Sequence, residues 1–281
     1  MSTIGRPRRL LVWLTVAAGG AIVLCLPADG VADDQARKSR DDAIDFERQI
    51  APLFGRLGCN TAACHGAFGG GKGGLQLSLF GYSAKMDYQA VNDRIDRSDP
   101  EASLLLRKPG GLEVHGGGVR FATDSAEYGD IKRWIEDGAP WNEGSGRVET
   151  LSVEPVQVVF SEAKSTQPLK VTAEFTDGAT IAVTHLCQFT SRDEGVAGVD
   201  PSGQVVRLGD GDTSVIVSYG NAFAAVSVLA PFSRHSDPGP ETARAEFNAI
   251  DARINEKLAI LNIAASGQTT DEEFLRRVML D

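Results

Sequence analysis

The sequence predicts a multidomain chain: a small all-α domain, then an all-β sandwich, then a short α-helical C-terminal segment. Three observations predict it. Between residues 44 and 141, apolar side chains recur at helical spacing on both sides of a loop-rich, glycine-rich middle. Between 150 and 231, short Val- and Ile-rich runs alternate with turn signals. From 241 to 281 the helical period returns, and Thr270-Asp271-Glu272-Glu273 forms a capping box. At 281 residues the chain has room for more than one ordinary domain.

The N-terminus reads as an export signal. Arg6, Arg8 and Arg9 form a basic region, and residues 10–26 are apolar and uncharged. Gly30-Val31-Ala32 puts small residues where a signal peptidase reads, so residues 1–32 are expected to be a signal peptide cleaved after Ala32. The alternative is an N-terminal membrane anchor that is retained. Cys25 lies inside this segment and is given no role. Residues 33–43 are a charged, polar linker. The expected location is the periplasm or the cell surface. The net charge is −10, with no basic block beyond the N-terminus, which argues against nucleic acid as a partner. Cys59, Cys64 and Cys187 form no repeated framework, so the chain is not a disulfide scaffold.

In residues 44–141, Phe46, Ile50, Leu53, Phe54 and Leu57 mark one helical face, and Gly58 ends it. Cys59 follows at once. Cys59 and Cys64, with His65 next door, outline a c-type haem attachment site, although four residues separate the cysteines where two are usual. Each thiol can bond a haem vinyl group, and the imidazole can ligate iron. Cys59 and Cys64 are therefore the candidate covalent attachments of haem c, and His65 the candidate proximal iron ligand. His115, in a glycine-flanked loop, is the candidate distal ligand, with Met86 behind it. Bis-His ligation implies a lower potential than Met/His ligation. Gly66-x4-Gly71-Lys72 looks like a phosphate loop, but Gly73 replaces the Mg²⁺-binding Ser or Thr and no strand precedes it. The better reading of residues 66–74 is backbone lying close to a flat cofactor. Residues 75–79 alternate and are expected to be a short strand or extended segment. Tyr128, Ile131, Trp134 and Ile135 share a second helical face, with Ser125 as N-cap and Gly138 as stop. The two helices are expected to pack on each other. A Cys59–Cys64 disulfide, a zinc site of Cys59, Cys64 and His115, and a reactive thiol beside His65 remain open at this point.

Residues 142–149 are a linker by composition. The β runs that follow are 156–160, 169–175, 180–183, 196–199, 205–208, 213–219 and 222–229, which read as an antiparallel sandwich. Asp177-Gly178 and Pro201-Ser202-Gly203 are turn signals. Cys187 reads as a small core hydrophobe and His185 as strand surface. No catalytic constellation appears anywhere in the chain, so an electron carrier or a binding protein is expected rather than an enzyme. Residues 232–240 are a second linker. Phe247, Ile250, Ile254, Leu258 and Leu261 mark a further amphipathic helix, and Phe274, Leu275 and Val278 give the last helix an apolar side.

Several stretches carry a family resemblance. Gly58-Cys59-Asn60, Cys64-His65-Gly66, Lys72-Gly73-Gly74, Asp99-Pro100-Glu101-Ala102-Ser103-Leu104-Leu105, Lys108-Pro109, His115-Gly116-Gly117, Trp134-Ile135 and Gly138-Ala139-Pro140 resemble the cytochrome c-like domain of large exported planctomycete proteins. The more familiar branch of that family has the shorter cysteine spacing and a Met-Pro-Pro loop where this chain has His115-Gly116-Gly117. That departure supports His115 as the distal group. Leu169-Lys170-Val171-Thr172-Ala173, Thr176-Asp177-Gly178, Val183-Thr184, Phe189, Val196-Ala197, Val199-Asp200, Gly203 and Val205 resemble a bacterial immunoglobulin-like domain of the second group. That resemblance implies a spacer, or a module that binds surface polysaccharide or protein. Ile250-Asp251 and residues 274–281 resemble the opening of an uncharacterised helical domain of the same planctomycete proteins. Residues 241–281 are thus expected to be the start of a truncated helical domain with an uncovered apolar face. The resulting expectation is an exported cytochrome-like electron-transfer module with an unidentified redox partner. The alternative is a haem-free surface or periplasmic binding protein stapled by a Cys59–Cys64 disulfide.

Overall fold

Phe46, Ile50, Leu53 and Phe54 are all buried in the computed structural model, which describes residues 43–66, 71–161, 165–233, 248–265 and 269–280. The expected signal peptide, most of the linker behind it, and Phe247 lie outside the described residues. Residues 43–281 pack as one unit: a helical region, then a β-rich region, then two C-terminal helices.

The chain enters through a wide turn. Over Phe46–Ile50 the backbone winds as a π-helix, and the Ala51 N–H reaches back to the Phe46 carbonyl. The Asp45 side chain caps it by accepting from the Arg48 N–H. Pro52 lacks an N–H, so it cannot extend a tight ladder from the preceding turn and sits instead in the first turn of α1 (Ala51–Arg56). Helix α1 ends at Gly58, whose φ of +72° suits glycine. The Gly58 N–H donates to Gly55 O and the Cys59 N–H to Phe54 O at 2.7 Å, the paired capping bonds of a Schellman motif.

Three more helices complete this region: α2 (Ala84–Asn92), α3 (Leu104–Arg107) and α4 (Ala126–Glu136). Ser125 caps α4 by accepting from the Tyr128 N–H, and Tyr128, Ile131, Trp134 and Ile135 are its buried residues. The entering turn packs on α4 through Phe46 and Trp134, with ring centres 5.3 Å apart. Tyr88 of α2 closes the cluster, edge-on to Phe46 at 5.2 Å and stacked on Trp141 at 4.8 Å. Helices α2 and α3 lie in the stretch that reads from sequence as loop. Residues 75–78 run extended but pair with no strand among the described residues.

Among the described residues ten strands follow: β1 (Val148–Glu154), β2 (Gln157–Val159), β3 (Thr166–Pro168), β4 (Lys170–Phe175), β5 (Thr180–Ala182), β6 (Gln188–Ser191), β7 (Ala197–Val199), β8 (Gln204–Arg207), β9 (Gly211–Tyr219) and β10 (Ala222–Ala230). They form three sheets with orders β1-β4-β5, β2-β10-β9-β6 and β3-β8-β7. Each of the seven expected runs overlaps a strand, and β1, β3 and β6 are additional. One expectation needs correction. The arrangement is not wholly antiparallel, because β2 runs parallel to β10. The β1 ladder stops at Glu154, just before Pro155, and β2 then pairs in a different sheet, parallel to β10. Buried residues alternate on β4 and β9, so Val171, Ala173, Phe175, Val215, Val217 and Tyr219 share the core. Cys187 is fully buried in that core, and His185 sits exposed on a short 3₁₀ turn.

Composition marks residues 142–149 as a linker, yet the helical region grips part of it. One Glu47 carboxylate oxygen accepts from Trp141 Nε1–H and the Gly144 N–H, and the other accepts from the Gly146 N–H. Arg48 donates to Ser145 O and lies 4.3 Å above the Phe175 ring. The buried Tyr219 hydroxyl donates to Arg48 O at 2.6 Å. One turn of helix therefore fixes both the connecting segment and the edge of the β-rich region.

Helix α5 (Ala249–Leu261) starts at the Asn248 cap and docks by its end, where Leu261 is buried and its carbonyl accepts from the Phe232 N–H. Helix α6 (Asp271–Leu280) starts at Thr270, whose hydroxyl accepts from the Glu273 N–H. Phe274, Leu275, Val278, Met279 and Leu280 are all exposed on it. No helix among the described residues is long and apolar enough to cross a membrane.

Candidate functional site

The Schellman end of α1 delivers Cys59 into a loop closed on itself. The His65 N–H donates to Cys59 O at 2.9 Å, and the Cys64 and Gly66 N–H groups both donate to Thr61 O. Gly66 is required by this closure, since a Cβ there would stand 2.1 Å from Asn60 O. The close approach expected between this glycine and a flat cofactor is thus made instead to the loop's own backbone. Residues 67–70 of the glycine-rich run lie outside the described residues.

The loop opens onto a cavity of about 190 Å³. Cys59, Cys64, His65 and His115 all line it, so all four sequence candidates meet at one place. Met86 does not line it; its sulfur accepts weakly from the Tyr82 hydroxyl on the α2 surface. Much of the remaining wall is apolar, including Leu57, Leu75, Leu77, Leu105, Phe121 and Ile131. The charged lining residues are Lys72, Arg94, Lys108 and Arg120, with no carboxylate among them. Sequence reasoning missed these cations, which are far apart in the chain and share no period.

The two imidazoles are the most informative feature. Their ring planes lie within 11° of parallel and their centres are 6.2 Å apart, too far for face contact. His65 Nδ1 lies 3.1 Å from Leu75 O, and His115 Nδ1 lies 2.8 Å from Gly118 O. A carbonyl can only accept, so each Nδ1 donates to the carbonyl it faces, and His65 also lies against the Lys72 backbone. Metal-ligating histidines are oriented in this way. Both rings border the same cavity, and each has its Nδ1 edge held by a loop carbonyl. Gly117 protects the His115 edge, because a Cβ there would lie 3.0 Å from Cε1 and 3.4 Å from Nε2.

Electrostatics keep the site neutral at its centre. Burial holds the His65 imidazole below its ordinary value. Burial also pushes the Cys59 thiol up to about 11, against the opposing pull of Arg120. An Arg120 guanidinium nitrogen lies 3.9 Å from Cys64 Sγ. Cys59 and Cys64 are both free thiols. Among the described residues no three His, Cys, Asp or Glu side chains converge to hold a bare metal ion, which leaves the zinc reading without its ligand set. A porphyrin supplies four nitrogens of its own, so two protein ligands suffice. The apolar wall, paired imidazoles, two thiols and cationic rim fit a flat metallated ring with acidic side arms.

No family model and no curated protein matches the chain. Among solved structures, domains 5-6 of the S-layer protein SbsC are similar at 21% identity over 30% of this chain, with a TM-score of 0.25. The chain spans 43% of that structure's length, and a likeness at this level carries no argument.

Proposed function

We propose that residues 44–141 hold covalent haem c and that the chain is an exported electron-transfer module. The observation that supports this reading is the parallel His65–His115 pair, 6.2 Å between centres, which meets Cys59 and Cys64 at one cavity with each Nδ1 against a carbonyl. A haem group, when bound, supplies one-electron exchange at its iron. The chain's residues supply everything else. Cys59 and Cys64 are the thioether attachments, His65 is the proximal ligand and His115 the distal one. The Leu75 and Gly118 carbonyls fix the tautomers and make the imidazoles better donors. The leucines, Phe121 and Ile131 exclude water. Lys72, Arg94, Lys108 and Arg120 offer positive charge to the ring's carboxylate arms. Two imidazole ligands set a lower potential than a Met/His pair would. In this reading residues 150–231 are an immunoglobulin-like spacer or adhesion module, and the N-terminal segment directs export to the periplasm or cell surface.

The test is production of the full chain alongside a haem-attachment system, followed by a haem stain after denaturation. Wild type is expected to retain the stain, and Cys59→Ala combined with Cys64→Ala to lose it. A double variant that still holds haem after denaturation would refute the attachment sites. An unstained wild type with no free thiol at either cysteine would support the stapled, haem-free alternative.

A further inference from the structure

We propose that Asp87 is a positioning residue that holds His65 in its ligating orientation, acting through the strap of residues 75–78; this rests on the haem reading above. Asp87 is 2% exposed, and both carboxylate oxygens are used. The Ser78 N–H donates to Oδ1 at 2.5 Å and the Ser78 hydroxyl to Oδ2 at 2.8 Å. The Ser83 N–H in turn donates to Ser78 Oγ at 3.1 Å. The other end of the strap grips the histidine. Leu75 O accepts from His65 Nδ1–H, and the Leu77 N–H donates to His65 O at 2.8 Å.

The strap is extended but belongs to no sheet, so no ladder holds it in place. Helix α2 is well fixed by comparison. Tyr88 packs on Phe46 and Trp141, and its hydroxyl donates to Ala139 O at 2.9 Å. Asp87 therefore ties the strap to α2 at Ser78, next to the buried Leu77. Two residues, Gln76 and Leu77, separate the anchored Ser78 from Leu75, whose carbonyl orients the imidazole.

A buried carboxylate without a cation is a costly way to fasten a strap. Burial lifts its pKa from 3.8 to about 6, with the Ser78 bonds opposing the rise. The folded chain thus keeps this proton to a higher pH than the unfolded chain does. This group's share of stability falls as pH rises from about 4 to about 6. No charged side chain contributes to its titration. Residues 75–81 carry no charge, Lys85 on the same helix faces Glu143, and Arg56 of α1 pairs with Glu127. A group that works against folding near neutral pH points to a functional reason for its presence.

The test uses the unloaded full chain at pH 7.5, reading the Nδ1–H resonance of His65 by NMR. Asp87→Ala is expected to lose that resonance while the Trp134 and Trp141 indole resonances stay in place. Asp87→Asn, which can still accept from the Ser78 N–H and donate to its hydroxyl, is expected to keep it. If Asp87→Ala unfolds, Ser78→Ala removes one of the two bonds and reads the same signal. An unchanged His65 resonance in Asp87→Ala, or in Ser78→Ala when that is the variant read, would overturn the proposal. In the loaded chain, the potential plotted against pH is expected to bend near pH 6 in wild type and not in Asp87→Asn. Identical plots would equally overturn it. The unloaded measurement needs no cofactor, so its failure is distinct from failure of the haem reading.

Discussion

His115→Ala is expected to leave haem attached but to convert its spectrum from low-spin to high-spin. Attachment depends on Cys59 and Cys64, which the substitution does not touch. In the proposed reading His115 fills the sixth iron position, since it lines the same cavity as His65 and Met86 does not. Added imidazole should restore the low-spin spectrum by filling the vacated position. Met86→Ala serves as the contrast. Met86 lies on α2 outside the cavity lining, so its removal should leave the spectrum unchanged. The absorption spectrum of each purified variant, with and without imidazole, checks this. A low-spin spectrum in His115→Ala that becomes high-spin in Met86→Ala would exchange their roles.

Trp134→Ala is expected to cost about 3–5 kcal/mol of folding stability, the range for deleting a buried tryptophan. Trp134 is fully buried, packs on Phe46 and Tyr88, and donates its indole N–H to Pro140 O at 2.9 Å. Its loss opens a cavity and leaves a carbonyl without its partner. Native domains hold only about 5–15 kcal/mol in total, so the change is a large fraction of what is available. It also loosens the contact between the entering turn and α4, on which the position of Cys59 depends. Phe223→Ala, at a side chain 64% exposed, should cost less than ~0.5 kcal/mol. Urea unfolding of both variants checks the contrast, and similar midpoint shifts would contradict it.

The candidate residues of the cavity were legible because three of them, Cys59, Cys64 and His65, lie within seven positions of the chain. Cysteine chemistry at Cys59 and Cys64, with His65 beside them, needs no tertiary information to be suspected. His115 was visible as the histidine of a glycine-flanked loop. The groups that orient these ligands were not visible. Leu75 O and Gly118 O are backbone atoms whose role depends on where the chain brings them. Helix α2 was missed for a related reason. Its buried residues are Asp87 and Val91, and an aspartate at a core position breaks the apolar period that marks a helix face. Strand β3 contains Pro168, and β1 has Val153 as its only buried residue, so neither alternates clearly. The parallel pairing of β2 with β10 depends on which sheet the chain enters after Pro155, and side-chain pattern does not encode that. Asn142 to Gly146 have linker composition, but Glu47 lies 95 or more residues earlier, so its hold on them was out of reach of local reading.

The most direct measurement is the intact mass of the matured, denatured wild-type chain. The account predicts a mass higher by one haem, carried on the peptide that contains Cys59 and Cys64. A colourless protein whose mass equals that of the polypeptide alone would contradict it.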